Sequence, residues 1–109
     1  MGSASSYFSS SGAGDLAQPE KQRSTIRIYL DILSATAEEG NAKTTRLLQR
    51  ANLPHDRLMK HLAELQKRDL LVEFNNGGNR YYAITPKGQD FVKEVRRAQS
   101  FLSAFGVHI

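Results

Sequence analysis

The chain has 109 residues, a formal net charge of +4 and no cysteine. Its length predicts a single domain with a modest core. The missing cysteines exclude disulfides, thiolate metal sites and cysteine nucleophiles. No apolar run approaches the length of a membrane-spanning helix, and the N-terminus lacks the apolar segment of a signal peptide. We therefore expect a soluble, cytoplasmic protein with no membrane contact.

Residues 1–23 predict a disordered N-terminal tail, because Ser, Gly and Ala dominate the segment and no hydrophobic period is visible. Ser24 is a suitable N-cap for the helix that follows, whose bulky apolar residues recur at helical spacing. Gly40 and Asn41 predict the end of this helix, since both residue types accept a left-handed backbone. The first ordered element is thus a long helix.

The segments "TTRLLQRAN" and "PHDRLMKHLAELQKRD" predict two more helices in quick succession. Thr44 is the expected cap of the second helix, and Asn52 is its expected end. Pro54 predicts the start of the third helix, because its missing N–H costs nothing in the first turn. Two helices joined by a turn of three or four residues form a helix-turn-helix.

The runs "LLVEF" and "RYYAI" are rich in β-branched, aromatic and aliphatic residues and predict two strands. "NNGGN" between them supplies residues that tolerate positive φ, as a tight hairpin turn requires. We expect Leu71 or Val72 to share the inward face of this hairpin with Phe74, Tyr82 and Ile84.

A last helix is predicted after the hairpin, with Thr85 as its cap and Pro86 in its first turn. At about 20 residues it would be roughly 30 Å long, which is more than the preceding core can cover. Its apolar residues are spaced alternately by four and three, as in a heptad seam, so the uncovered end is expected to contact a second copy. The predicted dimerisation residues are Val95, Ala98, Leu102 and Phe105.

This order of elements predicts a winged helix-turn-helix. The fold class is mainly α with a small β-hairpin (α+β): three helices, a two-stranded wing and a long C-terminal helix. Residues 24–85 would form the winged helix-turn-helix domain, and residues 86–109 would form the dimerisation helix.

A series of short motifs follows the same order as the elements. They are "DIL" in the first helix, "G-x-x-K-T" from Gly40 to Thr44, "ANL" from Ala51 to Leu53, "L-x-x-L" in the third helix and "Y-x-I-T-x-K-G" from Tyr82 to Gly88. Over residues 23–95 the chain resembles the archaeal winged helix-turn-helix regulators. These include small dimeric chromatin-associated proteins whose last helices form an antiparallel coiled coil. The resemblance implies a homodimer that binds double-stranded DNA and associates with the nucleoid.

Two positions depart from that family's pattern. The family usually has Gly before its second strand, and Asp69 stands at that place here. Asp can adopt a left-handed backbone at modest cost. Pro54 stands where a Ser or Thr cap is common at the start of the third helix.

Basic residues are concentrated in the predicted helix-turn-helix. Between Lys43 and Arg68, seven basic residues stand against two acidic ones, and this excess suits a polyanion. The recognition helix would enter the major groove, where Arg57 could bond guanine bidentately. The second helix could hold a phosphate at its N-terminus, and Arg80 could reach the minor groove or backbone. The candidate DNA-binding residues are Lys43, Thr44, Thr45, Arg46, His55, Arg57, Lys60, His61 and Arg80. The same residues also fit a solvated helical face with ordinary capping.

An enzyme is not expected. His55, His61 and His108 lack a metal-binding spacing, and the chain has neither a phosphate loop nor a Ser nucleophile motif. No cofactor or small-molecule ligand is predicted. The preferred function is a dimeric DNA-binding transcriptional regulator. A sequence-nonspecific nucleoid or chromatin protein and a winged-helix protein–protein interaction module are the alternatives.

Overall fold

The computed structural model describes residues 23–109, which form four helices and a small antiparallel sheet. In chain order the elements are α1 (Thr25–Glu39), β1 (Ala42–Lys43), α2 (Thr44–Ala51), α3 (His55–Lys67), β2 (Leu71–Asn76), β3 (Asn79–Ile84) and α4 (Pro86–Ser103). The predicted winged helix-turn-helix is confirmed, with α2 and α3 as the helix-turn-helix and β2 and β3 as the wing. The predicted tail lies outside the described residues, except for Arg23.

Several helix ends follow the capping chemistry that the sequence predicts. The Ser24 side chain accepts a hydrogen bond from the Arg27 N–H at 3.1 Å, and α1 ends before Gly40. Asn52 closes α2 in the left-handed conformation, with φ at 55°. These ends are defined by hydrogen bonds between near neighbours in the chain, which explains why local sequence is enough to predict them.

Thr44 is not the cap of α2, so that prediction is wrong. Lys43 occupies the N-cap position, no side chain caps the helix, and Thr44 is the first helical residue. The reason is that Lys43 pairs with Tyr81 as the last residue of β1, so the chain passes directly from strand to helix. Pro54 is likewise the N-cap of α3, one residue before the helix begins.

The core lies where α1, α2 and α3 meet one face of the sheet. α3 contributes its leucines at helical spacing, so that one face of the helix is buried and the opposite face is left to solvent. The largest fully buried side chains are those of Tyr82, Ile32, Leu33, Leu47, Leu58, Leu62, Leu65, Leu71 and Thr36. At about 25 cal/mol per Å² of apolar surface, burial of these side chains is the main term that stabilises the fold.

The sheet has three strands in the order β1-β3-β2, so the prediction of a two-stranded wing is incomplete. β1 contains only two residues and pairs antiparallel with β3. β2 and β3 form the predicted hairpin around Gly77 and Gly78, whose φ angles are 60° and 84°. Positive φ at both central residues is the geometry of a two-residue hairpin turn, and glycine adopts it without steric cost.

The hairpin register places Phe74 on the outer face, which corrects the predicted inward set. Leu71 pairs with Ile84, and Phe74 pairs with Tyr81. Because side chains alternate between faces along a strand, Leu71, Tyr82 and Ile84 point to the core, whereas Phe74 and Val72 point away from it. Val72 is accordingly 45% exposed.

The start of α4 is fixed to the turn between α3 and β2. Thr85 Oγ1 donates to the Asp69 carbonyl oxygen at 2.7 Å and accepts from the Gly88 N–H at 2.9 Å. The Thr85 N–H donates to the Leu70 carbonyl oxygen at 3.1 Å. Asp69 adopts φ of 63°, so the left-handed turn expected there is confirmed. The "T-x-x-G" part of the sequence motif therefore joins α4 to the end of the helix-turn-helix.

α4 packs along α1, with contacts that reach at least to Arg96, and extends beyond the core. Arg96 Nη2 donates to Ser34 Oγ at 3.0 Å, which is one link between the two helices. Phe91 and Val92 pack against the core cluster. Near its C-terminal end Phe101 is exposed, and Phe105, just after the helix, is exposed as well.

Candidate nucleic-acid interface

The outward face of α3 carries His55, Arg57 and Lys60, all exposed, as predicted for a recognition helix. Within residues 23–109 neither Arg57 nor Lys60 forms an ion pair. Lys67 lies two turns after Lys60, is also exposed, and has no ion pair in the described part of the chain. Lys67 was absent from the candidate residues, although its spacing of seven from Lys60 places both on one face.

His61 lies at the edge of this face and is half-buried. Its ring meets the Tyr29 ring edge-on, with centroids 5.9 Å apart. Burial lowers the pKa of His61, and the nearby charges of Arg57 and Lys60 lower it further. His61 therefore presents a neutral imidazole at neutral pH, which can donate one hydrogen bond and accept another.

At the C-terminal end of α3, the charge of Arg68 is neutralised by a carboxylate of the same helix. Arg68 forms an ion pair with Glu64 one turn earlier, and its guanidinium lies 5.9 Å from the Tyr29 ring centroid. The hydrogen bond from Arg68 lowers the pKa of Glu64. Arg68 therefore contributes little unpaired positive charge to the surface, in contrast to Lys67 beside it.

The predicted phosphate site at the start of α2 is open, and within residues 23–109 Lys43 is its one cation outside an ion pair. Lys43 and Thr45 are exposed and Thr44 is half-buried. No side chain caps α2, so its first N–H groups remain available to water or an anion. Lys43 Nζ lies 5.7 Å from the Tyr81 ring centroid, whereas Arg46 Nε is paired with Glu39 Oε2 at 2.9 Å.

Two carboxylates at the end of α1 neutralise the arginines of α2. Glu39 Oε2 also binds Arg50 Nη1 at 3.1 Å, and Arg50 pairs with Glu38 as well. The hydrogen bond from Arg46 is the main cause of a lowered pKa of Glu39. Part of the basic excess counted between Lys43 and Arg68 is therefore cancelled by residues that precede that segment.

Arg80 lies on the wing but is paired as well. Its Nε is 3.0 Å from Glu73 Oε2 on the neighbouring strand, and Gln66 Nε2 donates to the other Glu73 oxygen at 3.4 Å. Arg80 is exposed and lies on the same side of the hairpin as α3. The wing and the recognition helix are thus connected through Glu73.

The predicted dimerisation residues differ in exposure along α4. Val95, Ala98 and Leu102 are half-buried, whereas Phe105 is 71% exposed. Phe101, which lies outside the predicted seam, is 64% exposed, and its ring centroid is 5.3 Å from that of Phe105. The spacing of four between the two phenylalanines is the sequence signal for this pair.

Residues 23–109 contain neither a cluster of metal-ligating side chains nor a membrane-spanning helix. No three His, Asp or Glu side chains within this range come together in a way that could hold a metal ion. No helix within it is both long and apolar enough to span a bilayer.

The fold is that of the winged-helix class. A family model described as winged helix-turn-helix matches residues 22–103. The chain belongs to the winged helix-turn-helix family. A comparison with curated protein sequences gives no match.

Solved structures share this fold at low sequence identity. Sso10a-2, a DNA-binding protein from Sulfolobus solfataricus, is 24% identical, with a TM-score of 0.69 over 76% of this chain and 85% of that one. BpsR from Bordetella bronchiseptica is 18% identical, with a TM-score of 0.65 over 91% and 83%. MarR from E. coli is 13% identical, with a TM-score of 0.61 over 82% and 74%. The chain thus has the fold of winged-helix DNA-binding regulators.

Proposed function

We propose that the protein is a dimeric transcriptional regulator that binds duplex DNA with α3 in the major groove. The observation that carries this proposal is the set of cations on the outward face of α3. Arg57, Lys60 and Lys67 are exposed and have no ion pair within the described residues, whereas the arginines of α2 and the wing are paired with carboxylates. Unpaired cations on an exposed helix are suited to phosphate and base contacts.

The residues of this face have separate proposed roles. Arg57 bonds a guanine edge, because its guanidinium matches O6 and N7 bidentately. Lys60 and Lys67 neutralise phosphates on the two sides of the groove. His61 acts as a neutral hydrogen-bonding group, since its lowered pKa disfavours the imidazolium form. Lys43 and the open N-terminus of α2 hold a backbone phosphate with Thr44 and Thr45.

The polar character of the face favours DNA over a protein partner. A protein-binding face of this size would carry aromatic or aliphatic anchors at its centre. The outward side of α3 instead presents His55, Asp56, Lys60, Ala63 and Lys67. The DNA-binding descriptions of Sso10a-2 and of BpsR, whose DNA binding is regulated by 6-hydroxynicotinic acid, agree with this choice.

The proposed dimer contact is the exposed end of α4. Phe101 in the last turn of α4 is 64% exposed, and Phe105 and Val107 just after the helix are 71% and 50% exposed. Apolar side chains clustered at one end of a helix are typical of an oligomer contact. Leu102, Ala98 and Val95 extend the same contact toward the core.

Titration of the protein into labelled duplex DNA by fluorescence anisotropy, at low and physiological salt, tests the DNA-binding face. Arg57→Ala with Lys60→Ala should weaken binding at least about tenfold and flatten the salt dependence, because the base contact of Arg57 and the phosphate contact of Lys60 are both lost. Lys93→Ala with Arg97→Ala removes the same charge from exposed α4 positions and serves as the matched control.

Equal affinity of the α3 variant and the wild type would disprove α3 as the DNA-binding face. Equal weakening by both double variants would show a response to net charge alone. Competition with unrelated duplex distinguishes a regulator from a nonspecific chromatin protein. Only a regulator stays bound to its specific site when unrelated duplex is present in excess.

A further inference from the structure

A second surface of the molecule combines aromatic, amide and basic side chains. The outer sheet face is the side of the three-stranded sheet that points away from the core. Its side chains include Lys43 from β1, Val72, Phe74 and Asn76 from β2, and Asn79 and Tyr81 from β3, as the strand registers require. None of these is a member of the buried core cluster.

An aromatic pair forms the centre of the outer sheet face. The rings of Phe74 and Tyr81 are stacked, with centroids 5.8 Å apart and planes at 23°. Lys43 Nζ lies 5.7 Å from the Tyr81 centroid on the side of β1. Phe74 is on the edge strand β2, and within the described chain its ring contacts no aromatic ring except that of Tyr81. Phe74 and Tyr81 are each half-buried, so part of the pair is open to solvent.

The charge and hydrogen-bonding groups of this face favour one kind of occupant. The acidic residue of the hairpin, Glu73, points to the opposite face, where it pairs with Arg80. The outer sheet face thus presents an ammonium group and no carboxylate. At the hairpin tip, Asn76 and Asn79 form a cross-strand pair, and both are exposed. Asn amides can both donate to and accept from a planar polar edge.

We infer that the outer sheet face binds single-stranded nucleic acid. Unpaired bases stack on Phe74 and Tyr81, the Asn76 and Asn79 amides bond the base edges, and Lys43 neutralises a phosphate. Each of these three contacts matches a known requirement of single-strand recognition: a stacking platform, edge hydrogen bonds and a backbone cation. A six-residue strand is about 20 Å long, so the face accommodates a few nucleotides.

The aromatic and amide side chains of this surface are distinct from the duplex-binding face proposed above, whereas Lys43 is common to the two surfaces. Stacking needs bases that are not paired within a helix, whereas α3 contacts groove edges and phosphates of an intact duplex. The two activities can therefore be lost separately. Unpaired DNA and RNA share the stacking chemistry, and the experiment uses one probe of each.

The test measures anisotropy of labelled oligothymidine and oligouridine of about 12 nucleotides, with the full chain. Phe74→Leu with Tyr81→Leu keeps apolar side chains but removes both rings, so single-strand affinity should fall at least about fivefold. Duplex affinity should stay within about twofold of the wild type. Phe74→Tyr with Tyr81→Phe retains both rings and should bind single strands as the wild type does.

Three results would overturn the inference. One is unchanged single-strand affinity in the leucine variant. Another is equal loss of single-strand binding in Arg57→Ala with Lys60→Ala, with no loss in the leucine variant. The third comes from the wild-type protein and does not depend on the folding of any variant. It is amide chemical-shift changes on adding oligothymidine that are confined to α3 and absent from β2 and β3.

Discussion

At the scale of single residues, Gly88 is required by a close approach of two parts of the chain. A Cβ atom at this position would overlap the Leu70 carbonyl oxygen and lie 2.7 Å from Ile84 Cγ1. The neighbouring Thr85 hydroxyl is bonded on both sides, to the Asp69 carbonyl and to the Gly88 N–H. The helix can only come this close to the turn before β2 if residue 88 has no side chain.

Gly88→Ala should destabilise the protein by about 1–3 kcal/mol, the usual cost of forcing extra atoms into a packed site. This loss would occur although alanine favours a helix interior over glycine by about 1 kcal/mol. Denaturant unfolding followed by circular dichroism measures the change. Gln89→Ala, at the next and exposed position of α4, is the control and should change stability little. A variant as stable as the wild type would mean that the turn can shift without cost.

At the scale of elements, the structure shows why some features could be predicted from the sequence and others could not. The caps at Ser24 and Thr85 involve residues three apart, so the local sequence contains all the partners. β1 could not be predicted, because its two residues become a strand only by pairing with Tyr81 and Tyr82, about forty positions away. Phe74 was assigned to the wrong face because its orientation depends on the hairpin register, which the two-residue turn at Gly77 fixes.

For the same reason, the sequence predicted that Arg57 and Lys60 are exposed but not which side chains of the candidate site form ion pairs. The exposure of Arg57 and Lys60 follows from the helical period of α3, which the sequence displays. The pairing of Arg46 with Glu39 does not follow from any helical period, because it joins the end of α1 to α2 across a turn. A count of charges along the chain therefore overestimated how many cations the helix-turn-helix leaves unpaired.

The Glu39 carboxylate gives a test at this scale. Glu39→Gln should release Arg46 from its ion pair, while Arg50 keeps its pair with Glu38, so that α2 gains one cation able to reach a phosphate. Duplex affinity should rise by a few-fold, and its salt dependence should become steeper. Glu94→Gln removes a carboxylate paired with Arg97 on α4 and is the matched control. Equal gains in both variants would point to net charge, and no gain in Glu39→Gln would place α2 away from the DNA.

At the scale of the whole molecule, the apolar end of α4 is the feature that residues 23–109 leave exposed. The Phe101 and Phe105 rings contact each other but remain largely exposed. Burying an aromatic side chain is worth about 1.5–3 kcal/mol, so a second copy that covers both rings would gain stability from this end. The dimer proposed above follows from this exposure together with the length of α4.

Phe101→Asp with Phe105→Asp should convert the proposed dimer to a monomer, because two charges would be buried without partners at the contact. Light scattering at several protein concentrations measures the mass. Val72→Asp introduces a charge at an exposed apolar position of the sheet and should leave the mass unchanged. A double variant that keeps the dimer mass would place the contact elsewhere on the molecule.

The hydrogen-bonded junction around Thr85 affects which spacing of DNA half-sites such a dimer could bind. α4 is attached at its base to the turn that ends α3, through backbone and side-chain hydrogen bonds to Asp69 and Leu70. A helix that is fixed at one end to the recognition helix α3 and at the other end to a second subunit is a rigid spacer of constant length. The distance between the two α3 helices of the dimer would be set by the number of turns in α4. That distance would fix the spacing of the two DNA half-sites that the dimer can occupy together.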